Sequence, residues 1–171
     1  MAAVLITGAS ANLGLETARE LVRAGHTVWL DSHDLAASEI GARPVQLDVT
    51  SDESLAAAAE AVGELDVLVN ATADLEQETF EDDLAGLVRV LQAFLPLLER
   101  SSAPVVVNVG GGPASLSAAA ANIVAVQYAK AFPNVRINAV EPGAASVVRM
   151  AQIGQDGPTG GYFDADGPLP W

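Results

Sequence analysis

Along this chain, short β-branched apolar runs alternate with longer alanine-rich stretches, and the two follow different periods. The apolar runs at Ala3–Thr7, Thr27–Asp31, Val45–Leu47, Asp66–Asn70, Val105–Val109 and Val135–Val140 predict strands. Between them, apolar positions recur at helical spacing over Leu13–Ala24, Asp52–Val62, Phe80–Arg100 and Ser115–Phe132. Nearly continuous apolar strands separated by amphipathic helices predict an α/β fold, a parallel sheet covered by helices on both faces. Ser51 or Asp52 is the expected N-cap of the second helix, with Glu53 in the first turn, where an acid complements the helix dipole. Gly25 stands just past the first helix, where a left-handed residue closes it. Glycine and proline concentrate after Asp156 and predict an irregular arm with at most one short edge strand.

Composition narrows the function. At 171 residues, half of them hydrophobic, the chain is the size of one domain with its own core. It has no cysteine, so disulfides, thiolate catalysis and cysteine metal sites are excluded. A net charge of -14 repels phosphate backbones and anionic lipids, which argues against nucleic-acid and membrane-surface partners. No apolar run approaches the ~20 residues a bilayer requires, and the A-A-V-L-I lead lacks the features of a secretory signal. The expectation is a soluble, cytoplasmic protein.

The first strand runs into T-G-A-S-A-N-L-G, Thr7 to Gly14, which opens a helix. Strand, glycine loop and helix in that order form a cradle for a dinucleotide pyrophosphate. Gly8 permits the tight turn, Ser10 to Leu13 line it, and Gly14 lets the helix approach the sheet. Asn12 stands where the pattern has its second glycine, and asparagine is the side chain best suited to a left-handed backbone there.

This loop resembles the T-G-x-x-x-G-x-G loop of the short-chain dehydrogenase/reductase family. So do L-D-V-T at Leu47–Thr50, D-V-L-V-N-A at Asp66–Ala71 and V-R-I-N-A-V-E-P-G at Val135–Gly143. The closing G-P-T-G-G-Y-F…P-W is similar to the tail of carbonyl-reductase-like members. The resemblance implies a Rossmann-type doubly wound parallel sheet in the order 3-2-1-4-5-6, with room for a short seventh strand at Gly160–Phe163. It implies a bound nicotinamide dinucleotide, NAD or NADP. Asp48 would meet the adenine amino group with Val49 beside it, Asn70 and Ala71 would line the ribose, and Pro142 and Gly143 would complete the site. Asp48 is also readable as a turn or helix-entry carboxylate, and Asn70 as a strand-end cap. At the end of the second strand, Ser32 takes the position of the NAD-selecting acid and His33 that of the NADP-selecting base. Asp31 and Asp34 would repel a 2′-phosphate, which favours NAD. His26 reads as a polar surface residue. The resemblance also implies a homodimer or homotetramer paired through the long helices, where Ala118–Ala121 would allow close contact.

The family reduces carbonyls with an asparagine, a serine, a tyrosine and a lysine. Aligned on the motifs above, those positions hold Asp83, Gly111, Pro113 and Ser117. The segment between serine and tyrosine is almost entirely missing, as is the substrate-covering lid after Gly143. Tyr128 and Lys130 stand two apart on different helix faces and read as packing and solvation.

Two carboxylates remain near the emptied site, Asp83 and Glu141. Either would serve as general acid or base for a small organic substrate in a cyclase, dehydratase or isomerase reaction. Asp83 is also readable as a helix-start acid and Glu141 as a solvated one. Asn108 and Gly110–Gly112 are readable as an oxyanion pocket, or, as preferred here, as the short bridge left by a deletion. Three functions follow: a dinucleotide-binding protein without tetrad chemistry, a non-redox enzyme on the same scaffold, or an oxidoreductase with a different proton donor.

Overall fold

The computed structural model describes residues 1–8, 12–31, 36–71, 80–110 and 115–170, with the side chains of residues 80–83, 116 and 117 outside that description. Its strands are β1 (Ala3–Thr7), β2 (Thr27–Asp31), β3 (Arg43–Val45), β4 (Val67–Asn70), β5 (Val105–Val109), β6 (Arg136–Val140), β7 (Tyr162–Phe163) and β8 (Pro168–Leu169). Its helices are α1 (Asn12–Arg23), α2 (Ala36–Glu39), α3 (Asp52–Val62), α4 (Phe80–Leu98), α5 (Leu116–Ala131) and α6 (Ala144–Ala151). The strands form one sheet in the order β3-β2-β1-β4-β5-β6-β7-β8. Every pair is parallel except β7 with β8. The Rossmann-type order expected from the sequence is therefore present, extended at one edge.

Alternation along each strand feeds two cores. Leu5, Leu68, Val106 and Ile137 point to the face covered by α3, α4 and α5, where Phe94 is fully buried. Ile6, Val69 and Val107, one residue on, point to the face covered by α1, α2 and α6. No helix among the described residues is long and apolar enough to cross a membrane. Ile123 of α5 stands 47 % exposed although its helix is apolar on most sides.

Local signals hold where they were specific. Ser51 caps α3, its hydroxyl accepting from the Ser54 N–H at 3.2 Å. Gly25 has φ +89° after α1. Two expectations differ. The third strand pairs at Arg43–Val45, not Val45–Leu47, because the Leu47 N–H turns out of the ladder to the Asp31 carboxylate at 3.4 Å. Pro44 is tolerated since β3 is the edge of the sheet. The C-terminal arm carries two strands. Asp164 closes their hairpin by accepting the N–H groups of Asp166 and Gly167 on Oδ1, both at 2.8 Å. Asn138 docks the arm, donating to Pro158 O at 2.8 Å and accepting the Gly161 N–H at 3.0 Å. His26 stands at the surface as expected, half-buried and held at both ring nitrogens. Its Nδ1 accepts the Ala2 N–H at 3.1 Å and its Nε2 lies 2.9 Å from the Gln152 amide. Burial, and then the positive N-terminus, hold its pKa below the usual value.

Candidate functional site

The carboxyl ends of β1, β4, β5 and β6 bring most of the sequence-expected residues to one edge. Gly8 leaves β1 with φ +68°, a conformation that side chains rarely adopt. Its N–H reaches Asp31 Oδ2 at 3.3 Å, tying the turn to the end of β2. Asn12 is the first residue of α1, exposed and helical, and no described non-glycine residue has positive φ. The left-handed role expected for it is therefore not the one it plays. Leu13 packs partly against the core under α1, and Gly14 is buried, so the helix start lies close on the sheet. Ser10, Ser32 and His33 lie outside the described residues.

Asp48 is exposed, and its Oδ1 accepts from both the N–H (2.8 Å) and the hydroxyl (2.7 Å) of Thr50. These bonds, the hydroxyl first, lower its pKa, so the carboxylate stays charged at the rim. Val49 beside it packs half-buried on the α3–α4 core. Asn70 is buried and both its side-chain atoms are engaged: Oδ1 accepts from the Thr7 hydroxyl at 3.2 Å, and Nδ2 donates to Asn108 Oδ1 at 2.8 Å. Its side chain is a strand-end tie, and the next residue, Ala71, is buried with its N–H donating to Thr7 O at 3.1 Å. Thr7, Asn70 and Asn108 stand in register across β1, β4 and β5, and the row ends on Asn108 Nδ2, buried without a partner. These residues fit a dinucleotide: a left-handed glycine turn, a helix start and an exposed carboxylate share one sheet edge, where α/β folds bind ligands.

Beyond Asn108 the space closes. A Cβ built on Gly110 would lie 2.7 Å from Ala118 Cα and 3.1 Å from Ala118 Cβ. Helix α5 thus begins directly against the end of β5, with Ser115 Oγ accepting the Ala118 N–H at 3.0 Å as its cap. Gly111 and Pro113 lie outside the described residues; Ser117 is within α5 and Asp83 within the first turn of α4, their side chains outside the description. Tyr128 stacks on Phe132 at 5.9 Å and Lys130 is exposed, as their spacing implied.

At the end of β6, Glu141 is half-buried, and its Oε1 accepts from the Tyr162 hydroxyl at 3.4 Å. Register places Tyr162 on the face of Asn108, through Ala139. Burial, then the Glu141 charge, raises the Tyr162 phenol above its usual pKa. Sequence reasoning missed this tyrosine, because only the β7 docking brings it beside Glu141. Pro142 is exposed and Gly143, extended at φ 167°, caps α6 directly, with Ser146 Oγ donating to Gly143 O at 2.8 Å.

The chain matches the family model "short chain dehydrogenase" over residues 2–157. The short-chain dehydrogenase/reductase ATR10 of Stachybotrys chlorohalonatus is 29% identical over 245 aligned positions, covering 96% of this chain and 88% of the relative. Those positions outnumber this chain's 171 residues, so the relative has long stretches without a counterpart here. Among solved structures, menthone neomenthol reductase from Mentha piperita superposes with a TM-score of 0.82 at 23% identity, covering 96% of this chain and 98% of that one. The NADH-dependent reductase A1-R′, complexed with NAD, does so with 0.75 at 20%, covering 95% and 94%. At these identities the two structures establish the shared fold.

Proposed function

We propose that this chain, which belongs to the short chain dehydrogenase family, binds a nicotinamide dinucleotide at the carboxyl edge of its sheet and has lost the family's tetrad-type carbonyl reduction. When bound, the dinucleotide supplies a hydride donor or acceptor. Gly8 and the α1 start from Asn12 to Gly14 hold its pyrophosphate, with Ser10 in the loop between; Asp48, Val49 and the Asn70–Ala71 backbone hold its adenosine half. Pro142 and Gly143 line its far end. Selection falls on NAD: the Asp31 carboxylate, already at the β2 end beside Gly8, would repel a 2′-phosphate, with Ser32 and His33 next in sequence.

The observation that carries the second half of the proposal is the contact of Gly110 with the α5 backbone. By the resemblance the family's serine falls on Gly111, the next residue, and the α5 backbone lies directly against the strand end that leads into it. With α6 starting at Ala144 and β7 at Tyr162, little chain lies between Gly143 and the arm to cover a substrate and exclude water.

Titration of the protein with NADH and NADPH, followed by cofactor fluorescence, tests this reading. NADH should saturate with a dissociation constant on the order of 0.1 mM, about -5.5 kcal/mol, and NADPH more weakly. A panel of carbonyl substrates should leave the NADH absorbance flat. Absence of saturation by either cofactor at millimolar concentration removes the binding claim, and steady NADH oxidation removes the other.

One observation favours a second, non-redox reading: Glu141 and Tyr162 meet on the face of the Asn108 row. There Glu141 would accept a proton from a small organic substrate and Tyr162 would hold the developing oxyanion by its hydroxyl, with Asp83 the alternative base. Glu141→Gln should remove turnover of a non-redox substrate by about a hundredfold or more. It should also shift Tyr162 ionisation, read by phenolate absorbance, down towards the ordinary range, because one of the charges opposing the phenolate is gone. An unmoved absorbance titration means the two groups do not interact in solution.

A further inference from the structure

The net charge of -14 is not spread evenly over the fold. Among the 8 bases, Arg43 and Arg136 begin β3 and β6, and Arg23, Arg100 and Lys130 stand at or just past the ends of α1, α4 and α5. All of these lie at the edge where the strands begin. The carboxyl edge, which carries the dinucleotide cradle, is composed the other way. Residues 1–18 and 44–88 supply the glycine turn, the start of α1 and the ends of β3 and β4, and they contain no lysine or arginine. Neither do residues 101–129 and 137–148, which supply the ends of β5 and β6. Carboxylates stand there instead. Asp31 ends β2, Asp48 is at the rim, Asp52 and Glu53 open α3, and Glu141 and Asp164 follow β6 and β7. The first turn of α4 adds the E-D-D run Glu81–Asp83. Two arginines reach the flanks of this side, and each donates to a backbone carbonyl: Arg89 Nη1 to Thr50 O at 3.1 Å and Arg149 Nη1 to Ala165 O at 3.0 Å.

A dinucleotide brings a charged pyrophosphate to this edge. Backbone N–H groups of the glycine turn and the α1 start can hold it by hydrogen bonds, while the surrounding carboxylates repel it. Repulsion between exposed charges is set by mobile ions, its reach falling from about 30 Å at ~0.01 M salt to about 3 Å at ~1 M. We propose that ionic strength controls the dinucleotide site: cations gathered from solution at the acidic rim supply the counter-charge that the chain does not, so NADH binds more tightly as salt rises. This rests on the reading that the edge binds a dinucleotide. The sign is the reverse of the usual one, since anion sites built on lysine and arginine lose affinity as salt screens them. NADPH, with its additional phosphate, follows salt more steeply than NADH.

The experiment is fluorescence titration with NADH and NADPH in KCl from ~0.01 M to ~1 M, with circular dichroism at each salt. Where the chain unfolds at the low end, the series begins at the lowest salt that keeps it folded. NADH affinity should rise about tenfold across the full range, and NADPH affinity more. The double variant Asp52→Asn/Glu53→Gln should tighten low-salt binding by about threefold and make the rise shallower. These exposed side chains open α3, whose Ser54 hydroxyl accepts the Asp48 N–H at 2.9 Å, so they stand beside the adenine end of the site. Saturation with an affinity that stays flat or falls as salt rises overturns the proposal and leaves the dinucleotide reading standing. An equal rise in the double variant also overturns it, because the gain would then come from salting-out of the apolar rings and not from charge. Absence of saturation at every salt removes the dinucleotide reading, and this proposal with it.

Discussion

Replacing Gly110 by serine will destabilise the protein by about 3 kcal/mol, at the upper end of what overpacking costs. The new Cβ would meet the Ala118 α-carbon at 2.7 Å, a distance that real Cβ atoms essentially never show. The neighbour is backbone inside the first turn of α5, so no side-chain rotation relieves the clash. To make room, α5 must slide, and with it Ala120, Ala121 and Val124, which are packed in the core against the sheet. The measurement is urea unfolding: the midpoint should fall with an unchanged slope, since the surface exposed on unfolding is the same. A loss below about 0.5 kcal/mol would mean that the end of β5 is open and that α5 does not press on it.

The second large effect belongs to the glycine turn. Gly8→Val should weaken NADH binding by about a hundredfold, some 2.7 kcal/mol. At φ +68° a β-branched side chain is strained, and the backbone relaxes away from this geometry. Relaxation rotates the Gly8 N–H off Asp31, and with it the bond that ties the turn to β2. Gly25→Ala is the control: it too has positive φ, with nothing within 4 Å of its Cβ, and lies at the other end of α1. It should cost about 1 kcal/mol of stability and leave NADH binding intact. Equal losses of binding in the two variants would trace the effect to strain in α1 and not to the cradle.

Several local features were legible residue by residue, for reasons that differ. Gly8 and Gly25 were readable because positive φ is a local property that glycine alone accepts cheaply. Ser51 was readable because a cap and its N–H are three residues apart. Asn12 was misread because asparagine tolerates two conformations, and its place at the start of α1 decided between them. The partners of His26, Ala2 and Gln152, were not readable because they are far away along the chain. Tyr162 was missed for the same reason: nothing in G-G-Y-F says that the tyrosine will lie beside Glu141 until β7 has docked on β6.

By itself, then, the chain determined its family, its parallel sheet and its left-handed glycine turn, because period, turn chemistry and short motifs act over a few neighbouring residues. Only the tertiary structure decided that α5 presses on Gly110 and that Asn70 spends its side chain on Thr7 and Asn108. These are contacts between segments distant in sequence. They are set by how closely helices and strands pack, a quantity that no local pattern encodes.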